Sequence, residues 1–101
     1  MAESLELVVR FSGSLWEYQG EAPWVFVTLS PDAAEQIRHR VPHPGGFGTI
    51  KVEVEIGESR WRTSLFPDKA SGSFLVPIKR EIRNREGLSV GEVVQVTVRP
   101  R

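Results

Sequence analysis

The stretch FLVPIKREIRNREGLSVGEVVQVTV, Phe74–Val98, decides how the rest of the chain is read. Ser73–Val76 is a short strand, and Pro77 breaks its apolar run. Proline suits the first position of a helix, so a helix is predicted over Pro77–Glu86, with Gly87 just past its end. Ile78 and Ile82 lie four apart on one face, and Leu88 extends that stripe. Lys79 and Arg83 lie four apart on another face, with Arg80 beside them. Gly91-Glu92 turns the chain, and Val93–Arg99 alternates apolar and polar residues as a last strand. The unit is strand, short basic helix, strand.

Working back from it, the same period of two recurs. Leu5, Leu7, Val9 and Phe11 alternate with Glu6, Val8, Arg10 and Ser12, which predicts a strand over Leu5–Tyr18 with a bend at Gly13. Trp24–Thr28 is aromatic and β-branched, the composition of a second strand. Ser30-Pro31-Asp32 starts a helix: serine caps, proline fits the first turn, and aspartate meets the positive end of the dipole. That helix runs to Arg40 with Ala33, Ala34, Ile37 and Val41 inward, and Pro42 and Pro44 stop it. Thr49–Ile56 and Ser59–Phe66 alternate on either side of Gly57-Glu58 and read as a hairpin with Trp61, Thr63 and Leu65 on one face. The sum is about six strands and two short helices. Six short strands in so small a chain bury their apolar faces and hide their edges best by closing. The expected fold is therefore mainly β: a small closed β-barrel with the helices plugging or covering its ends.

With 101 residues the chain reads as one domain, 1–101. Thirteen basic residues balance thirteen acidic ones, which disfavours a non-specific nucleic-acid binder, a class that usually shows a basic excess. Cysteine is absent, which removes disulfides, thiolate catalysis and cysteine metal sites and fits a cytoplasmic setting. The opening MAESLELVVR lacks the basic and apolar regions of a signal peptide, and no stretch is long enough to span a membrane.

The second helix carries four positive against two negative residues between Lys79 and Glu86. Lys79, Arg80 and Arg83 are thus candidate ligands for phosphate, carboxylate or another anion, helped by backbone N–H groups after Pro77. The same charges also fit a solvated face with Glu81 and Glu86 as partners. Arg60 and Arg62 flank Trp61 and must point opposite to it. Either Trp61 is inward and the arginines form a basic outer stripe, or the strand phase is reversed and Trp61 is the contact residue; all three join the candidate site. Trp24 is expected to pack in the core or at the barrel rim. His39 and His43 have a metal-like spacing, but Pro42 interrupts the helix and no third ligand is near, so no metal or cofactor is assigned. No nucleophile elbow or phosphate-binding glycine loop is present, and no catalytic residue or enzymatic activity is assigned.

The blocks WVFVTLSPDAAEQI, GTIKVEVEIGESRWRTSLFP and FLVPIKREIRNREGLSVGEVVQVTV, with Phe11 and Trp16 ahead of them, resemble DUF1905, a family of small bacterial domains of unknown function, over Leu7–Val98. The resemblance implies a closed barrel with one or two helices. Some members are joined to a second domain of the YdeI type, and the family implies no established activity. Val76–Arg83, Gly87-Leu88 and Gly91-Glu92 are also similar to the strand–helix–strand element of AbrB-type regulators and MazE-type antitoxins. Three functions follow as expectations: a module binding a small or anionic ligand at the basic helix, an AbrB-like nucleic-acid-binding dimer, or a domain that docks a protein partner.

Overall fold

The computed structural model describes residues 6–101. Their order is β1 (Val9–Tyr18), β2 (Trp24–Thr28), α1 (Pro31–Arg40), a 3-10 turn (Gly46–Gly48), β3 (Ile50–Ile56), β4 (Ser59–Asp68), β5 (Ser73–Pro77), α2 (Arg80–Glu86) and β6 (Val93–Pro100). The strands form a closed barrel in the order β1-β2-β5-β4-β3-β6, with every neighbouring pair antiparallel.

Closure depends on the two ten-residue strands. β1 pairs with β6 through Val9–Ser14 and then with β2 through Leu15–Tyr18. β4 pairs with β3 through Ser59–Leu65 and then with β5 through Phe66–Asp68. Each long strand therefore turns a corner between two smaller sheets. The handover in β1 follows Gly13, where a Cβ would stand 2.5 Å from Val27 Cγ1. Glycine is needed there because the facing valine already fills the space.

Valine dominates the interior: Val9, Val27, Val52, Val54, Val76 and Val98 are fully buried. A six-stranded barrel is narrow, and short β-branched side chains fill it without strain. The helices close its ends. Because β2 and β5 are antiparallel, α1, which follows β2, and α2, which follows β5, lie at opposite ends. Ser30 Oγ accepts the Ala33 N–H at 3.2 Å, and α1 buries Ala33, Ala34 and Ile37. Ile78 and Ile82 enter the same core from the α2 end.

Most element bounds agree with the sequence reading within one or two residues, but α2 does not start at Pro77. Pro77 still pairs opposite Phe26, and the Ile78 N–H donates to the Val25 carbonyl at 2.8 Å. Those sheet contacts hold the chain extended through Lys79 (φ −68, ψ 158), so the helix begins at Arg80. The first N–H after Pro77, that of Ile78, is thus committed to the sheet. At the amino end, β1 begins at Val9, and the expected start at Leu5 lies outside the described residues.

Candidate functional site

The basic segment is held from both sides. Ile82 on α2 is 1% exposed and anchors the helix to the core. Arg83 Nε donates to the Ile78 carbonyl at 3.0 Å, bracing the helix against the strand that precedes it. At the other end Ser59 Oγ, buried at the β3–β4 turn, donates to Glu86 Oε2 at 2.5 Å. Gly87 then ends the helix in the left-handed region (φ 66), and the Leu88 N–H returns to the Arg83 carbonyl at 2.8 Å. A seven-residue helix has little stability of its own, so these tertiary contacts fix it.

Beside it lies a half-open cleft of about 300 Å³. Trp61, Arg62 and Thr63 of β4 line one side; Lys79, Arg80 and Arg83 line the other, and Trp24 of β2 stands at the edge. Five of the six site residues expected from sequence therefore meet here. Trp61 faces inward at 9% exposure, which resolves the phase of β4 and sends Arg60 and Arg62 outward. Lys79 Nζ lies 3.5 Å from Glu81 Oε1, an exposed pair. Among the described residues, Arg62 and Arg80 make no ion pair and no side-chain hydrogen bond. Among the described residues no carboxylate lines the cleft, and Thr63 is the one hydroxyl that does.

Arg60 is not part of it. Its guanidinium lies 3.9 Å from Glu53 Oε1 and 3.3 Å from Glu55 Oε1. Arg99 Nη1 also reaches Glu55 Oε1, at 3.1 Å. The hydrogen bond from Arg99, with Arg60 adding to it, holds the Glu55 carboxyl below the usual carboxylate range against the opposing effect of partial desolvation. Arg60 serves a charge ladder on the outside of β3, β4 and β6 instead.

Trp24 is also placed otherwise than expected: it is 52% exposed, neither core nor packed rim. Val25 and Val27 point into the barrel, so Trp24 and Phe26 point out, with stacked rings 6.1 Å apart at 8°. On this strand the interior takes the two valines and the rings lie outside. In sequence WVFVT is apolar on both faces, and hydropathy alone could not say which face was buried. The parity of Trp16 and Tyr18 against buried Phe11 and Leu15 was the signal that aromatics gather on the outer wall. Trp16 is partly covered, with its ring 5.4 Å from Phe26 and Nε1 donating to Thr28 Oγ1 at 2.9 Å.

His39 lies on the exposed side of α1 and His43 in the loop beyond Pro42. Among the described residues no three His, Asp or Glu side chains gather as a metal site, and no helix is long and apolar enough to cross a membrane.

The fold and cleft together define a small, helix-capped, closed antiparallel barrel with a cationic hollow beside its second helix. The family model of DUF1905, a domain of unknown function, matches residues 11–98, and the chain belongs to that family. The match runs from β1 to β6 and includes both helices and every cleft residue named above. No curated protein matches the chain.

Proposed function

We propose that this domain is a binding module that takes an anionic ligand in the cleft between β4 and the start of α2. One observation carries the reading: Arg62, Lys79, Arg80 and Arg83, from two parts of the chain, converge on one hollow that no carboxylate among the described residues lines. Arginine presents a planar fork of donors that suits phosphate or carboxylate oxygens, and lysine adds a mobile point charge. The wall formed by Trp61 and the edge formed by Trp24 add apolar surface, so the ligand combines negative charge with a flat or apolar part. A lining of cations, rings and a single hydroxyl supports recognition rather than chemistry. A sequence free of cysteine is compatible with work in a reducing cytoplasm.

An AbrB-like regulator asks for two interleaved chains. Here every strand finds its partners within one chain, which favours the single-chain binding reading. The test is thermal denaturation and calorimetry with di- and triphosphate and with polycarboxylates. A ligand at a hundred times its dissociation constant should add about 2.7 kcal/mol. Arg62→Gln combined with Arg80→Gln should abolish the effect while leaving the unliganded melting temperature nearly unchanged. No shift with any anion at high millimolar concentration would refute the proposal.

A further inference from the structure

The cleft does not end at Trp24. That indole also borders an almost wholly apolar groove on the outer wall of the barrel, formed by Tyr18, Trp24, Phe26, Phe66 and Leu75. The strand register explains the continuity. Tyr18 pairs with Trp24, Trp16 with Phe26, and Phe66 with Leu75, so their side chains share one face of four adjacent strands, β1-β2-β5-β4. Tyr18 is 53% and Phe66 38% exposed, although a soluble barrel has no need of rings on its outside. Four strands span about 14 Å, from three spacings of about 4.8 Å. Sheet faces of that width stack two or three bases in single-strand-binding domains.

We infer that the aromatic wall and the cationic cleft form one continuous surface for single-stranded nucleic acid: bases stack on Tyr18, Trp24 and Phe66, and the backbone phosphates run into Arg62, Lys79 and Arg80. The inference rests on the cleft being an anion site and adds the class of ligand. Charge complementarity decides the partner. An apolar groove alone would suit many peptides, but this one opens into four cations with no lining carboxylate among the described residues, which asks for a strand that alternates flat rings with negative charge. Duplex is the wrong shape, because its bases are stacked inside and hidden from the wall. The neutral net charge of the chain is no obstacle, since four cations line the cleft, and Glu53, which lies opposite Arg62 on β3, is engaged by Arg60.

Fluorescence anisotropy of labelled oligo(dT) and oligo(rU) on the full chain tests this, with calorimetry of inorganic triphosphate in parallel. Single strands should bind and duplex should not. Single-strand affinity should fall roughly 20- to 50-fold between 50 and 200 mM salt, as expected for three or four phosphate contacts. Tyr18→Ala and Phe66→Ala, both at exposed positions outside the cleft, should each weaken oligonucleotide binding roughly five- to a hundredfold and leave triphosphate binding unchanged. Triphosphate binding that depends on Arg62 and Arg80, without oligonucleotide binding, overturns this inference and leaves the anion site standing. Failure of both removes both. Oligonucleotide binding indifferent to Tyr18→Ala and Phe66→Ala, or capture of a proline-rich peptide in place of oligonucleotide, also overturns it.

Discussion

Ile82→Ala should cost more than any surface change on α2, and its size can be worked from the structure. The side chain is 1% exposed and belongs to the same buried cluster as Ile78, Trp61 and Leu65. Truncation removes three methyl or methylene groups from this contact and leaves a void that the barrel cannot collapse to fill. Its end is already closed by Ile78 on one side and by the Ser59–Glu86 bond on the other. Substitutions of this kind cost about 2–5 kcal/mol. In a domain of this length that lowers the melting temperature by roughly 10–30 °C and the urea midpoint by roughly 1–3 M. The assay is equilibrium urea unfolding followed by tryptophan emission, with Trp61 as the buried reporter. The slope should stay constant, since the surface exposed on unfolding hardly changes. Arg85→Ala, which removes only the exposed pair with Glu81, should stay within about 0.5 kcal/mol. A loss below about 1 kcal/mol for Ile82→Ala would show that α2 is not anchored through this side chain, and the rigid placement of Arg80 and Arg83 would fall with it.

Other outcomes follow from individual contacts. Gly57 sits at φ +58 and a Cβ there would collide with the Glu86 carboxylate, so Gly57→Ala should cost about 1–3 kcal/mol, less in a Glu86→Ala background, as a double-mutant cycle of urea midpoints will show. Glu55 is held ionised by Arg99 and Arg60; a depressed carboxyl stabilises the fold above its unfolded pKa and loses that contribution as pH falls below the ordinary 4.5 and through the folded value. Glu55→Gln should therefore flatten the acid limb of stability against pH, and an unchanged limb would contradict the charge ladder. Trp16→Phe keeps the ring packing against Phe26 but loses the indole bond to Thr28, which predicts a loss of about 0.5–1.5 kcal/mol in thermal melts.

The fold was legible because its signals are local and repeated. Alternation in Ile50–Ile56 and Ser59–Leu65, the Ser30-Pro31 start of α1 and the glycine after Glu86 each specify geometry within a few residues. The start of α2 was not legible. Pro77 suits a helix start and a strand end equally, and the choice is made by the Ile78 N–H finding Val25, which is distant in sequence. The cationic cleft was readable as two separate clusters, one around Trp61 and one on α2, but only barrel closure brings Arg62 to Lys79 and Arg80. Arg60 goes to Glu53 and Glu55 across the local β3–β4 hairpin, whose register sets Arg60 opposite Glu55, a partition that residue type alone does not encode. The aromatic wall was hidden because both faces of β2 are apolar, and only the pairing of β2 with its neighbours turns Val25 and Val27 inward and Trp24 and Phe26 outward.

If Arg62, Lys79, Arg80 and Arg83 form one anion site, a single anion must perturb all four together. Amide and arginine side-chain NMR of the labelled domain, titrated with inorganic triphosphate, tests it most directly. Saturable shifts should be confined to Trp61–Thr63 and Ile78–Arg83, with the Trp61 indole moving alongside them and the Arg60 side chain still. Linear, unsaturable drift, or shifts centred on α1 or on the ladder of Arg60 and Arg99, would contradict it.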